Sequence, residues 1–133
     1  MKYVVATIRI LMGLPLLVFG LNTFLNFIPQ PDTPIPAGAA AFAGALVATG
    51  YMMQMIGVTF LVVGACLVAN RFVPLALALF APFIVNSVLF HGFLETSAMG
   101  RGMSGVFLAF ELFLAWSYRS AFAPMLKAKV SPG

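Results

Sequence analysis

The sequence predicts an all-α fold: an integral membrane four-helix bundle with a short extra interfacial or re-entrant helix between spans 1 and 2. The chain has 133 residues, of which 62% are hydrophobic and only 8% are charged. An average soluble domain is about a quarter charged. So few charged side chains cannot cover a globule in water, and we infer that lipid is the solvent. Since a membrane helix needs about 20 apolar residues, the length allows four spans and hardly more.

Residues 1–133 are interpreted as one transmembrane domain that contains four apolar runs. The predicted spans cover about residues 3–28, 51–69, 73–94 and 103–118. The third has Pro74 near its start, where proline is tolerated, and Pro82 where a kink is expected. The fourth is short and ends in Trp116 and Tyr118, which are aromatic residues typical of the membrane interface.

The segments between the spans predict three further features. Residues 29–36 contain four prolines and predict a rigid extended loop, because each proline removes a backbone donor. Residues 37–49 predict a short Ala/Gly helix that is too short to cross the bilayer. Residues 95–102 predict a polar, glycine-rich turn, and residues 119–133 a basic tail that is disordered or lies on the surface.

The basic residues predict the orientation in the membrane. With four spans, both termini share one side, and that side collects most of the basic residues. They are Lys2, Arg9, Arg71, Arg119, Lys127 and Lys129. The other side has Arg101 alone, together with Asp32 and Glu95. The positive-inside rule therefore places both termini in the cytoplasm.

Composition excludes several kinds of chemistry. The single cysteine, Cys66, cannot form an internal disulfide or a redox pair. The single histidine, His91, cannot supply a bis-histidine haem site or a histidine-rich metal site, and we predict no metal site. The basic residues are too few and too dispersed to bind nucleic acid. No group of residues demands catalysis, so no catalytic residue is predicted.

Two charged residues lie deepest in the predicted spans. Arg9 is six residues past Tyr3, roughly 9 Å from the cytoplasmic side, and Glu111 is eight residues before Arg119, roughly 12 Å from the same side. Their similar depths suggest an intramembrane ion pair between span 1 and span 4. The alternative is that Arg9 reaches lipid phosphates while Glu111 is neutral or bonded to another polar side chain.

A second group of polar residues lies toward the outer leaflet. Asn22 and Asn26 share a helix face through their i, i+4 spacing, and so do His91 and Glu95. These residues predict a ligand pocket for a quinone or a bound lipid. The ring of a quinone could stack on Phe19, Phe24, Phe83 or Phe90. The alternative is ordinary hydrogen bonding between helices. The candidate pocket residues are Asn22, Asn26, Gln54, Asn86, His91 and Glu95.

Taken in order, the motifs resemble the DoxX-like family of small four-helix bacterial membrane proteins over nearly the whole chain. The motifs that carry the resemblance are residues 9–13, 19–24, 50–51, 56–57, Gly64, 70–75, 81–82, Asn86, 90–91 and 111–119. Thr23 and Thr59 depart from the family pattern, since relatives often carry a lysine and an acid there.

The resemblance implies a multi-pass protein of the bacterial inner membrane with cytoplasmic termini. Related proteins include a membrane subunit of thiosulfate:quinone oxidoreductase, so the first expectation is a non-catalytic accessory subunit of a quinone-linked redox complex. It would work with a membrane protein partner or as a homo-oligomer. The alternatives are direct quinone binding, a membrane chaperone or assembly factor, and a pigment subunit with His91 as an axial ligand.

Overall fold

A computed structural model describes residues 1–29 and 34–133, and every regular element in these ranges is helical. Four helices are long and apolar enough to cross a membrane. The predicted fold class is therefore confirmed, including the short helix between spans 1 and 2. The helices are α1 (Lys2–Leu25), α2 (Ala37–Ala48), α3 (Met52–Ala69), α4 (Val73–Phe93), α5 (Ala98–Ser117) and α6 (Arg119–Phe122). A 3₁₀ turn over Ala123–Leu126 follows.

The last spanning helix begins five residues earlier than the sequence predicts. Ser97 is its N-cap, and its hydroxyl accepts a hydrogen bond from the backbone N–H of Gly100 at 3.0 Å. The glycines near this point suggested a turn, but a capped first turn makes them helical. The predicted proline-rich loop, residues 29–36, lies partly outside the described residues, as does Asp32.

Helices α1 and α3 are antiparallel and approach closely through four glycines. A Cβ on Gly13 would lie 3.1 Å from the carbonyl oxygen of Gly64, and one on Gly64 would lie 2.9 Å from that of Gly13. A Cβ on Gly20 would lie 3.0 Å from the Gly57 carbonyl oxygen, and one on Gly57 would lie 2.8 Å from the Thr23 side chain. In lipid, helices associate by such close packing, because apolar burial gives no advantage over contact with acyl chains.

The buried core lies between these two helices and α4, with one contribution from α5. Outward-facing residues of the same helices, such as Leu75 and Val85, are more than half exposed and would contact lipid. The bundle therefore has an interior that is specified by packing and an exterior that only needs to be apolar. The core side chains are Met12, Leu16, Val63, Leu67, Val73, Ala76, Leu77, Phe80, Ile84 and Leu114.

The antiparallel order places α2 at the same end of the bundle as the α4–α5 connection. The Phe42 ring of α2 lies 5.4 Å from that of Phe90, near the end of α4. A Cβ on Gly38 would contact the Leu94 side chain at 3.2 Å. Helix α2 therefore lies at one end of the bundle, as expected for a helix too short to span the bilayer.

Three arginines bind backbone carbonyls in the last turns of three helices. Arg9 donates to the Leu67 carbonyl of α3 at 2.6 Å, and Arg119 to the Trp116 carbonyl of α5 at 2.9 Å. Arg101 donates to two carbonyls of α4, those of His91 and Gly92, both at 3.2 Å. The last carbonyls of a helix have no partner within it, and a cation there also complements the helix dipole.

Candidate functional site

Arg9 and Glu111, predicted as an ion pair, are not brought together. The Arg9 Nε atom instead donates to the Leu67 carbonyl, which ties α1 to the end of α3. Glu111 lies on α5 and is 6% exposed, and within residues 1–29 and 34–133 its Oε2 atom has no hydrogen-bond partner. Similar predicted depths do not make two side chains meet, because the rotation of each helix decides what its side chain contacts.

We expect Arg9→Met to lower the stability of the protein by about 1–3 kcal/mol. Methionine keeps much of the apolar stem but leaves the Leu67 carbonyl without its donor. Thermal unfolding in mild detergent, followed by far-UV circular dichroism, measures the change. Arg71→Met is a matched control, because Arg71 is exposed and none of the side-chain hydrogen bonds described involves it. Equal unfolding temperatures for the two variants would contradict this role for Arg9.

The six predicted pocket residues do not form one pocket. Asn26 is the left-handed C-cap of α1 (φ 51°), and its backbone N–H donates to the Asn22 carbonyl. The Asn22 Oδ1 atom accepts from the Ile28 N–H at 2.8 Å, so both asparagines end the helix. Asparagine tolerates this conformation better than other non-glycine residues. Gln54 is exposed in the first turn of α3.

Asn86 lies in a separate cleft beneath α2. The cleft has a volume of about 190 Å³ and is lined by Phe42, Phe90 and Leu94 among others. Asn86 itself is exposed, and it does not line the separate cavity inside the bundle to which His91 belongs. Its position five residues before His91 turns it to a different face of α4.

His91 and Glu95 do form a pair, as their spacing predicts. The His91 Nδ1 atom lies 2.6 Å from Glu95 Oε2, and Glu95 Oε1 accepts from the Ser97 N–H at 3.2 Å. Hydrogen bonds from Ser97 and His91 lower the pKa of the Glu95 carboxyl below its ordinary value. The carboxylate can only accept, so the proton of this hydrogen bond lies on Nδ1.

Gly100 leaves the space in which this pair fits. A Cβ at position 100 would overlap both His91 Nδ1 and Glu95 Oε2. The pair therefore packs against the first turn of α5, and Ser97 caps that same turn. The Arg101 side chain holds the neighbouring end of α4 through the His91 and Gly92 carbonyls. Local contacts thus fix the orientation of the imidazole.

His91 also lines an aromatic cavity inside the bundle. The cavity has a volume of about 160 Å³ and is walled by all four spanning helices. Phe60 packs edge-on against Phe83, with ring centroids 4.6 Å apart, and Phe80 stacks on Phe83 at 5.4 Å. The lining residues are Leu16, Phe19, Phe60, Phe80, Phe83, Ile84, Ser87, His91, Met103, Ser104 and Phe107.

The polar groups of the cavity suit a ring that carries oxygen atoms. Since Nδ1 is bonded to Glu95, Nε2 is the nitrogen left for a ligand. In a neutral imidazole Nε2 accepts, as from a phenolic hydroxyl, and in an imidazolium it donates, as to a carbonyl. Ser104 is buried and donates to the Arg101 carbonyl, which leaves its oxygen free to accept.

Sequence reasoning found His91, Glu95, Phe19 and Phe83 but not the rest of this site. It missed Phe60, Phe107 and Ser104, which come from three positions on two other helices. No spacing rule connects residues on different helices, so no sequence signal could have grouped them. For Gly100 a signal did exist, because a Ser N-cap three residues earlier places it in the first helical turn.

The fold and the site define an all-α protein with four candidate membrane spans and an aromatic cavity beside a histidine–carboxylate pair. Comparisons with protein-family models, curated proteins and solved structures give no match to this chain. Membership of the DoxX-like family therefore stays a prediction from the sequence motifs.

Proposed function

We propose that the protein binds the ring of a membrane quinone or its quinol in the aromatic cavity beside His91. The observation that carries this proposal is the convergence of an apolar, aromatic-walled cavity with a single oriented imidazole. Ligand sites commonly combine apolar walls with a few placed polar groups. A quinone has this same combination, with an apolar ring and two oxygen atoms.

The size of the cavity supports a ligand with one ring. An apolar protein cavity of about 150 Å³ holds benzene, and this one has about 160 Å³. A monocyclic benzoquinone headgroup is close to that size, whereas a bicyclic naphthoquinone would need outward movement of the phenylalanine side chains. Since the lining helices also face lipid, an isoprenoid tail would extend from the cavity into the bilayer.

We further propose that the protein is an accessory subunit of a quinone-linked redox complex rather than a complete enzyme. The resemblance to the DoxX-like family supports this role, and so does the lack of a redox cysteine pair in the sequence. It would contact a membrane protein partner or a second copy of itself. The resemblance favours the bacterial inner membrane, and the basic residues favour both termini in the cytoplasm.

Quinol binding to purified protein tests the proposal. We expect a decyl-substituted benzoquinol to bind the protein in mild detergent, and His91→Ala to weaken binding about tenfold or more, because the oriented hydrogen bond to the ring is lost. Equilibrium dialysis measures the affinity of each protein for the quinol.

Asn86→Ala is the matched control, because Asn86 lies on the same helix but lines a different cleft. It should bind the quinol as the unmodified protein does. Equal affinity of the unmodified protein and His91→Ala would contradict a site at His91. No binding to the unmodified protein, together with transient association with many membrane proteins, would instead favour a chaperone or assembly factor.

A further inference from the structure

We propose that the groove between α4 and α5 is a second binding site, which takes a lipophilic organic ammonium ion at Glu111. The groove is open, has a volume of about 710 Å³, and lies apart from the aromatic cavity, with which it shares no lining residue. Its walls are mostly apolar and include three alanines, Ala78, Ala81 and Ala115. Among the described residues that line it, Glu111 alone has an ionisable side chain.

The Glu111 carboxyl group is buried without a matching donor. Glu111 is 6% exposed, and its Oε2 atom is fully buried and has no hydrogen-bond partner among the described residues. A buried acceptor without a donor destabilises the fold, and more so when it is charged. Ionisable residues within spanning helices are expensive and mark functional positions for that reason. A ligand that donates a hydrogen bond would remove this cost.

Pro82 leaves the Ala78 carbonyl as a second acceptor without a donor in the same groove. In an uninterrupted helix the N–H of residue 82 would donate to the Ala78 carbonyl, but proline has no N–H. Both residues line the groove. The groove is thus lined by Glu111, whose Oε2 atom lacks a donor, and by Ala78, whose carbonyl lacks its usual donor. Its complement is a group with several N–H donors and a positive charge, which describes an ammonium ion.

The length of the groove indicates a small amphiphile rather than a helix. On α4 the lining residues run from Leu77 to Val85, which is about 12 Å along the helix axis. A spanning helix of a partner protein would need about 30 Å of surface. Phe122 of α6 lines the groove beyond the end of α5. An amine with one or two apolar rings fits this length and would enter from the lipid.

Dibenzylamine is a suitable probe, because at neutral pH it is a cation with two N–H donors between two apolar rings. Dibenzyl ether has the same body without charge or donors. We expect equilibrium dialysis with the full-length protein in mild detergent to show at least tenfold tighter binding of the amine. Glu111→Gln should remove this preference while keeping the size of the side chain.

Ala81→Leu tests the groove without changing Glu111, and should weaken amine binding about tenfold by filling the space. Ala109→Leu is its matched control, because Ala109 is exposed on α5 and does not line the groove. It should bind the amine normally. Equal binding of the amine and the ether, or full amine binding by Glu111→Gln, would overturn the proposal. So would an unmodified protein that binds neither compound.

The two sites can be separated experimentally. Quinol binding at the His91 cavity should persist in Glu111→Gln, and amine binding should persist in His91→Ala. If the amine does not bind but the protein is a dimer that Glu111→Gln dissociates, the carboxyl serves contact between copies and the amine site is rejected.

Discussion

Gly64→Ala is expected to lower the stability of the bundle by about 1–3 kcal/mol, the range for overpacking a close interface. The new Cβ would lie 2.9 Å from the Gly13 carbonyl oxygen and 3.0 Å from the Leu17 backbone nitrogen. Both atoms belong to the backbone of α1, so no side-chain rotation can relieve the contact. The two helices must separate, and the packing on either side of the contact is lost. Thermal unfolding in mild detergent measures the effect.

Gly105→Ala is the matched control, since it places the same methyl group in another spanning helix. A Cβ on Gly105 would meet no atom within 4 Å. Because alanine favours a helix by about 0.5–1 kcal/mol over glycine, this variant should be as stable as the unmodified protein or slightly more so. An unfolding temperature of Gly64→Ala that equals that of Gly105→Ala would reject close packing at Gly64.

Gly100→Ala is expected to reduce quinol binding about tenfold or more while leaving the bundle folded. The Cβ would overlap His91 Nδ1 and Glu95 Oε2, which are side-chain atoms that can rotate away. The pair would separate, and the imidazole would lose its fixed tautomer and direction. Because a charge-assisted hydrogen bond contributes about 1.5–3 kcal/mol, losing the orientation it provides corresponds to at least tenfold in affinity.

The same variant should change the titration of Glu95. In the unmodified protein, hydrogen bonds from Ser97 and His91 lower the pKa of this carboxyl, so the carboxylate persists to lower pH. Losing His91 as a partner should raise that pKa toward its ordinary value, and carbon-detected NMR of the labelled glutamates measures the shift. Gly102→Ala is the control, since a Cβ there meets open space. An unchanged Glu95 titration in Gly100→Ala would show that the pair tolerates the methyl group.

The spanning helices were predictable because each one is a continuous run of apolar residues, which can be read directly from the sequence. The apolar runs gave α3 and α4 to within one residue at each end. The start of α5 was placed too late, since Gly100 and Gly102 weaken a helical pattern that the Ser97 cap supports. The contact between His91 and Glu95 was predicted from an i, i+4 spacing on one helix, and it forms although Glu95 lies two residues beyond the end of α4.

Contacts between helices were not predictable in the same way. Depth in the membrane suggested Arg9 and Glu111 as partners, but the Arg9 side chain donates to the Leu67 carbonyl. Carbonyls without a partner occur in the last turn of every helix, so the sequence does not single this one out. Asn22 and Asn26 were expected to share a helix face toward a ligand, but Asn26 is the left-handed C-cap, and both residues end α1. One contact between helices did have a sequence signal. Gly13 and Gly20 are seven residues apart, as are Gly57 and Gly64, and this matched spacing indicates close packing of α1 against α3.

The sequence by itself determined an all-α, multi-span protein, the order of its helices and the local pair at His91. The tertiary structure alone decided which side chains from different helices share a cavity, and so gathered Phe19, Phe60 and Phe107 around His91 and left Glu111 in a separate groove. The physical reason is that periodicity fixes positions along and around one helix. The rotation of each helix relative to its neighbours depends on side-chain packing across the whole interface.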